Sequence, residues 1–151
     1  MGTLCWTYFC VYVLERDSLM PLIQWDDSFS VKIAEIDRQH FKLVEMINQA
    51  MRQGEGRAIL GNTINALISY VNTHFATEEK YFKRFAYPET QAHVREHQKF
   101  VEQVATLRDS FVKGTAGLSV KTMNFLRSWL LQHIKGSDQK YTQHFLAQGL
   151  A

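Results

Sequence analysis

Residues 31–53 read VKIAEIDRQHFKLVEMINQAMRQ. Ile33, Ile36, His40, Val44, Ile47 and Met51 recur at every third or fourth position, the period of one face of an α-helix. Polar and charged side chains fill most of the remaining positions. The stretch therefore predicts an amphipathic helix over 31–53, ended by Gly54 and Gly56. Its odd member is His40, an imidazole on an otherwise apolar stripe, which needs a partner once buried.

The same period returns three times. Over 57–86 the stripe is Leu60, Ile64, Leu67, Val71, His74, Glu78 and Phe82, with Pro88 marking the turn beyond it. Over 89–113 it is His93, His97, Phe100 or Val101, Val104, Leu107 and Phe111, closed by Gly114 and Gly117. Over 118–147 it is Met123, Leu126, Leu130 and His133, with Tyr141 as a further candidate. No segment sustains the alternation of a strand. Four amphipathic helices joined by short connections predict an all-α fold, an up-down-up-down antiparallel four-helix bundle.

Composition agrees. The chain has 151 residues, which suits one domain with a sizeable core. Its two prolines leave long stretches free to be helical. The two cysteines, Cys5 and Cys10, both lie near the start, so neither a disulfide scaffold nor a thiolate metal site is expected. Lys and Arg total 17 against 15 Asp and Glu, a near balance that argues against a nucleic-acid partner.

The predicted bundle brings the histidines together. His40 is early in the first helix, and His74 and Glu78 are late in the second. His93 and His97 are early in the third, and His133 and Asp138 are late in the fourth. In an antiparallel bundle all seven lie at one depth near one end. His74 and Glu78 share a helix face, as do His93 and His97, because each pair is four residues apart. His133 and Asp138 are five apart, about 500° of rotation in a regular helix. Both can face inward only if the helix widens locally, and a distortion is expected around Gly136.

One buried histidine is commonplace, but five imidazoles and two carboxylates at one depth need strong partners. The donors are nitrogen and oxygen without thiolate, and seven are too many for one zinc. Calcium and magnesium would prefer oxygen throughout. Iron suits the set best, with manganese or cobalt behind it. Seven protein ligands exceed one octahedron, so two ions are implied. If Glu78 and Asp138 each bridge through both oxygens, then they, the five imidazoles and a shared oxo or hydroxo group fill all but one position of two octahedra. That position is available to a small molecule such as dioxygen.

These residues resemble the hemerythrin family in its bacterial single-domain form. The matching elements are His40 in IDRQH, His74 and Glu78 in HFATEE, His93 and His97 in HVREH, and His133 with Asp138 in HIKGSD. The resemblance covers about 22–147. It implies that His93, His97 and His133 hold a six-coordinate iron, that His40 and His74 hold the iron with the open position, and that Glu78 and Asp138 bridge. It implies reversible binding of dioxygen, held as hydroperoxide, for storage, transport or delivery, and no enzymatic turnover. It also implies that Leu130, one turn before His133, guards the oxygen pocket. Phe75, Leu43, Trp129 and Phe82 are further candidates for the pocket wall. His144, six residues past Asp138, and Glu79, turned about 100° from Glu78, are left out of the ligand set.

Two competing functions share the site: a di-iron redox enzyme acting on peroxide or nitric oxide, and an oxygen sensor. No phosphate loop or nucleophilic triad supports catalysis. The expected partners are dioxygen and an oxygen-consuming enzyme, and the expected state is a cytoplasmic monomer. Residues 4–14, LCWTYFCVYVL, are apolar but too short for a membrane-spanning helix, which needs about 20 residues. Residues 1–21 are thus read as an extension of uncertain order, and 22–151 as the di-iron domain. Trp25 is expected either over the cluster end of the bundle or as an anchor for the incoming chain.

Overall fold

The first helix, α1 (Ala34–Gln53), begins three residues later than the periodicity predicts. The delay has a local cause. Asp37 reaches back to accept hydrogen bonds from the Val31 amide (2.7 Å) and the Ser30 hydroxyl (2.6 Å), and Lys32 takes a left-handed φ of 60°. The approaching chain is pinned a second time inside the bundle. Asn48 of α1 accepts from the Ile23 amide at 3.0 Å and donates to the Ile23 carbonyl at 2.8 Å, both buried. Trp25 stacks on Phe29 and meets Phe41 edge-on, so it anchors the incoming chain.

The computed structural model describes residues 23–53, 57–114 and 120–150. Four more helices follow: α2 (Arg57–Arg84), α3 (Thr90–Val112), α4 (Val120–Gln132) and α5 (Gln139–Ala147). Between α4 and α5 the backbone stays helical, so the two form one rod with the segment His133–Asp138. α1 packs on α2, α2 on α3, and α4 returns to α1. The turn after α2 is set by Ala86, whose φ is 47°, with the Tyr87 amide bonded to the Phe82 carbonyl at 3.0 Å. The fold is the four-helix bundle expected. Residues 1–21 lie outside the described residues. No described helix is long and apolar enough to cross a membrane.

The segment His133–Asp138 is a π-helix, the widened turn that the five-residue spacing required. Both ends of it are buried: His133 is 2% exposed and Asp138 0%. Gly136 is not sterically required for the widening. It lies on the exposed side, and a Cβ there would meet nothing within 4 Å. Gly136→Ala is expected to stabilise the fold, by up to about 1 kcal/mol, through backbone entropy alone. Chemical denaturation checks this, and a loss of stability of that size would show that the π-turn needs glycine.

The apolar core is split in two. The larger part holds Leu43, Val44, Ile47, Leu67, Val71, Phe75, Phe100, Leu126, Leu130 and Ile134, among others. The smaller holds Val31, Ile33, Ile36, Phe82, Tyr87, Tyr141 and Phe145. Along α2, Phe75 of the first part and Phe82 of the second flank Glu78, so a polar layer is inserted between them.

Candidate metal centre

The structure brings all seven predicted residues into that layer. His40, His74, Glu78, His93, His97, His133 and Asp138 are each no more than 3% exposed. They come from α1, α2, α3 and the π-segment. Their donor atoms form two groups. One is Glu78, His93, His97 and His133; the other is His40, His74, Glu78 and Asp138. Within each group the ligand atoms lie within 4.8 Å of one another, and Glu78 belongs to both.

The carboxylates divide their oxygens between the groups. Glu78 Oε2 is 2.9 Å from His97 Nε2 and 3.6 Å from His93 Nε2, while its Oε1 is 3.6 Å from His74 Nε2. Asp138 does the same. Its Oδ1 is 3.2 Å from His93 Nε2 and 3.3 Å from His133 Nε2, while its Oδ2 is 3.2 Å from His40 Nε2. Three imidazoles thus face one pair of carboxylate oxygens, and two imidazoles face the other pair.

These atoms crowd together without bonding one another. The Nε2 atoms of all five histidines, Glu78 Oε2 and both Asp138 oxygens are buried and have no hydrogen-bond partner. Unsatisfied buried polar atoms cost about 1–3 kcal/mol each, and buried carboxylates more. Lone pairs that converge on shared space are what metal ligands present. The donor set therefore fits two cations, each with imidazole nitrogens, sharing two carboxylates.

A family model described as the hemerythrin HHE cation binding domain matches residues 31–145. The chain belongs to the hemerythrin family. Among its relatives is a bacteriohemerythrin of Stenotrophomonas maltophilia, 35% identical over 130 residues, covering 85% of this chain and 84% of that protein. A bacteriohemerythrin of Methylococcus capsulatus is 33% identical, covering 81% and 95%. A hemerythrin-like protein of Naegleria gruberi is 34% identical, covering 78% and 88%. A crystal structure of wild-type hemerythrin superposes with a TM-score of 0.75 at 32% identity, covering 81% of this chain and 96% of its own. A variant of hemerythrin with a leucine changed to alanine superposes at 0.77, with 31% identity, covering 83% and 98%.

Metal-ligating imidazoles are commonly oriented through the remote ring nitrogen, and here His74, His97 and His133 are held in that way. His74 Nδ1 pairs with Gln39 Oε1 at 2.9 Å, and Gln39 is held in turn by the Thr77 hydroxyl at 3.1 Å. His133 Nδ1 pairs with Glu96 Oε2 at 3.0 Å, and Ser137 donates to the same oxygen at 2.6 Å. That hydrogen bond from His133 holds the Glu96 carboxyl down at about 2. His97 Nδ1 lies 3.5 Å from Glu79, so the acid excluded as a ligand stands behind one. Tyr141 donates to Glu78 Oε1 at 2.6 Å, fixing a carboxylate that two imidazole groups share.

Sequence reading misses Gln39, Glu96 and Tyr70. Gln39 and Glu96 each precede a histidine by one residue, which places them beside it on the helix surface and within reach of a neighbouring helix. Tyr70 is four residues before His74, a spacing that points to a shared face. Its ring stacks on His74, with centroids 4.8 Å apart and planes at 21°. Burial, with the Glu78 and Asp138 carboxylates, raises its pKa well above the ordinary value.

The apolar candidates divide. Leu43, Phe75 and Leu130 are buried together in the larger core, with Trp129 packed against it. Phe75 stacks on His97 at 3.6 Å between centroids, and Trp129 stacks on His133 at 4.4 Å. Phe82 does not join them. It lies in the smaller core and meets His93 edge-on at 4.8 Å, because it is one turn past Glu78 rather than one turn before His74. His144 stands apart from the seven, with Nε2 on the Phe85 carbonyl at 2.7 Å.

The charges favour cations. Burial opposes a proton on His93, but the Asp138 and Glu78 carboxylates push it up to about 9. Burial pulls His74 down to about 4. Burial and the Glu78 charge oppose ionisation of Asp138, yet the surrounding imidazoles hold it at about 2. With its folded pKa above the ordinary 6.5, His93 keeps a proton through neutral pH and loses it as pH rises through about 9. Metal loading near neutral pH is therefore expected to release protons, and affinity to rise with pH until about 9 and then level off. Calorimetry of zinc or ferrous ion binding in two buffers checks this. An affinity that does not change over that range would contradict it.

Proposed function

We propose that the chain binds dioxygen reversibly at a non-haem pair of iron ions, as an oxygen store or carrier rather than an enzyme. The observation that carries the reading is the division of both carboxylates between a three-histidine group and a two-histidine group. His93, His97 and His133 would hold one ion and His40 and His74 the other, with Glu78 and Asp138 shared. The group with fewer imidazoles is the natural place for a small molecule.

When bound, the ferrous pair supplies two one-electron reductants side by side, enough to take dioxygen reversibly to the peroxide level. The protein's own residues do the rest. Gln39 holds His74, Glu96 holds His133 and Tyr141 holds Glu78, so these ligands need little reorganisation as charge shifts. Leu43, Phe75 and Leu130, buried together beside the cluster, would keep water from it. Few anionic oxygens face the ions, which disfavours high-valent iron and bond cleavage. The fuller reading is a cytoplasmic monomer that passes oxygen to an oxygen-consuming enzyme.

The test is anaerobic reduction of the iron-loaded protein, followed by oxygen titration and deoxygenation under visible absorption. A coloured form that appears with oxygen and bleaches on its removal is expected. Steady consumption of peroxide or nitric oxide with a reductant, without reversible uptake, would favour the redox enzyme and reject the carrier.

A further inference from the structure

We propose that Tyr70 donates a hydrogen bond to the small molecule bound beside His40 and His74, and so sets which ligands the site prefers. The inference rests on the functional reading above and adds a residue to it.

Helix geometry places Tyr70 in the right layer. Leu43 lies three residues after His40 on α1, and Leu130 three residues before His133 at the end of α4. Tyr70 lies four before His74 on the antiparallel α2. All three therefore occupy the layer next to the ligand cluster, on the side of the larger core. Leu43 and Leu130 present only hydrocarbon there. Tyr70 alone of the three brings a polar atom.

That atom has no partner. The Tyr70 hydroxyl is buried and makes no hydrogen bond. A buried phenol without a partner is unusual, since tyrosine normally places its hydroxyl in water or against an acceptor. Its surroundings bear on which way it faces. A groove of about 240 Å³ between α1 and α2 is lined by Tyr70 and His74, with Gln39, Lys42 and Thr73. The ring forms part of the groove wall, yet the hydroxyl is sealed from solvent. The ring is also nearly parallel to that of His74, whose Nε2 points into the cluster. With its hydroxyl sealed from solvent and its ring stacked on a cluster imidazole, Tyr70 would direct that hydroxyl inward, towards atoms that are themselves unpartnered. A neutral phenol can donate to a ligand's terminal oxygen or nitrogen, while the imidazole and carboxylate lone pairs are taken by metal.

The test compares the wild-type protein with Tyr70→Phe, which keeps the ring and its stacking on His74. Both are loaded with iron, oxidised and titrated with azide, a small anion with terminal acceptor nitrogens. The azide Kd of Tyr70→Phe is expected to rise by about three- to tenfold, the range for one lost hydrogen bond. The azide infrared stretch is expected to shift in heavy water for the wild type and not for the variant. Equal Kd values with equal isotope responses would overturn the inference while leaving the functional reading intact. An intense visible phenolate band lost in the variant would overturn it too, by making Tyr70 a metal ligand. A wild-type protein that takes up no iron overturns both.

Discussion

Glu78→Ala is expected to reduce bound iron from two ions per chain to one or fewer. Glu78 is the residue common to both donor groups, with Oε2 at 2.9 Å from His97 Nε2 and Oε1 at 3.6 Å from His74 Nε2. The substitution removes one donor from each ion and one negative charge from the layer between them. Loss of a mere outer partner costs about 10- to 100-fold in metal affinity, so loss of a shared ligand should cost more. It also strands the Tyr141 hydroxyl, which donates to Glu78 at 2.6 Å in the interior. That adds about 1–3 kcal/mol of unsatisfied polar burial. Elemental analysis of the variant, with far-ultraviolet circular dichroism to confirm its helices, gives the answer. Two irons per chain with an unchanged visible spectrum would remove Glu78 from the bridging role.

Leu130→Asn is expected to speed irreversible oxidation of the oxygenated protein by about tenfold or more, through water admitted to a dry site. Leu130 is 0% exposed and sits one turn before His133, in the same buried group as Leu43 and Phe75. An amide there needs hydrogen-bond partners that this layer does not supply, so water would follow it in. The substitution also costs packing, of order 2–5 kcal/mol for loss of a buried leucine side chain. Leu130→Ile separates the two effects, since it keeps the volume and the hydrocarbon wall. The decay of the oxygenated spectrum in air measures the rate for all three proteins. Equal rates in Leu130→Asn and wild type would reject the guarding role. A rate in Leu130→Ile as fast as in Leu130→Asn would assign the effect to packing.

Much of this arrangement is legible in the amino-acid sequence. Helical periodicity is a property of the backbone, so the spacing of Ile33, Ile36, His40 and Val44 defines an inward face without knowledge of the neighbours. Antiparallel topology then fixes depth, which is why His40, His74, His93 and His133 fall at one level. Even the widened turn follows, because His133 and Asp138 cannot share a regular helix face. Gly136 has open space around it, so the turn does not depend sterically on the missing side chain there.

Contact between helices is not legible in the same way. Gln39 reaches His74 and Glu96 reaches His133 across a helix gap, and a one-dimensional pattern says nothing of which flexible polar side chain will bend inward. Phe82 shares the stripe of His74 and Glu78, yet the stripe passes through the polar layer and continues into the second core. Periodicity gives the face of a residue but not the side of the cluster on which it falls. The Asn48 bridge to Ile23 is hidden for the same reason, since its partner is backbone from a non-helical stretch.

The central claim is that five histidines and two carboxylates hold a pair of ions, three imidazoles on one and two on the other. Anomalous diffraction at the iron edge, on crystals of the iron-loaded protein, tests it most directly. Two peaks are expected about 3.5 Å apart, one beside His93, His97 and His133 and the other beside His40 and His74, with Glu78 and Asp138 spanning both. A single peak, or iron bound away from these residues, would contradict it.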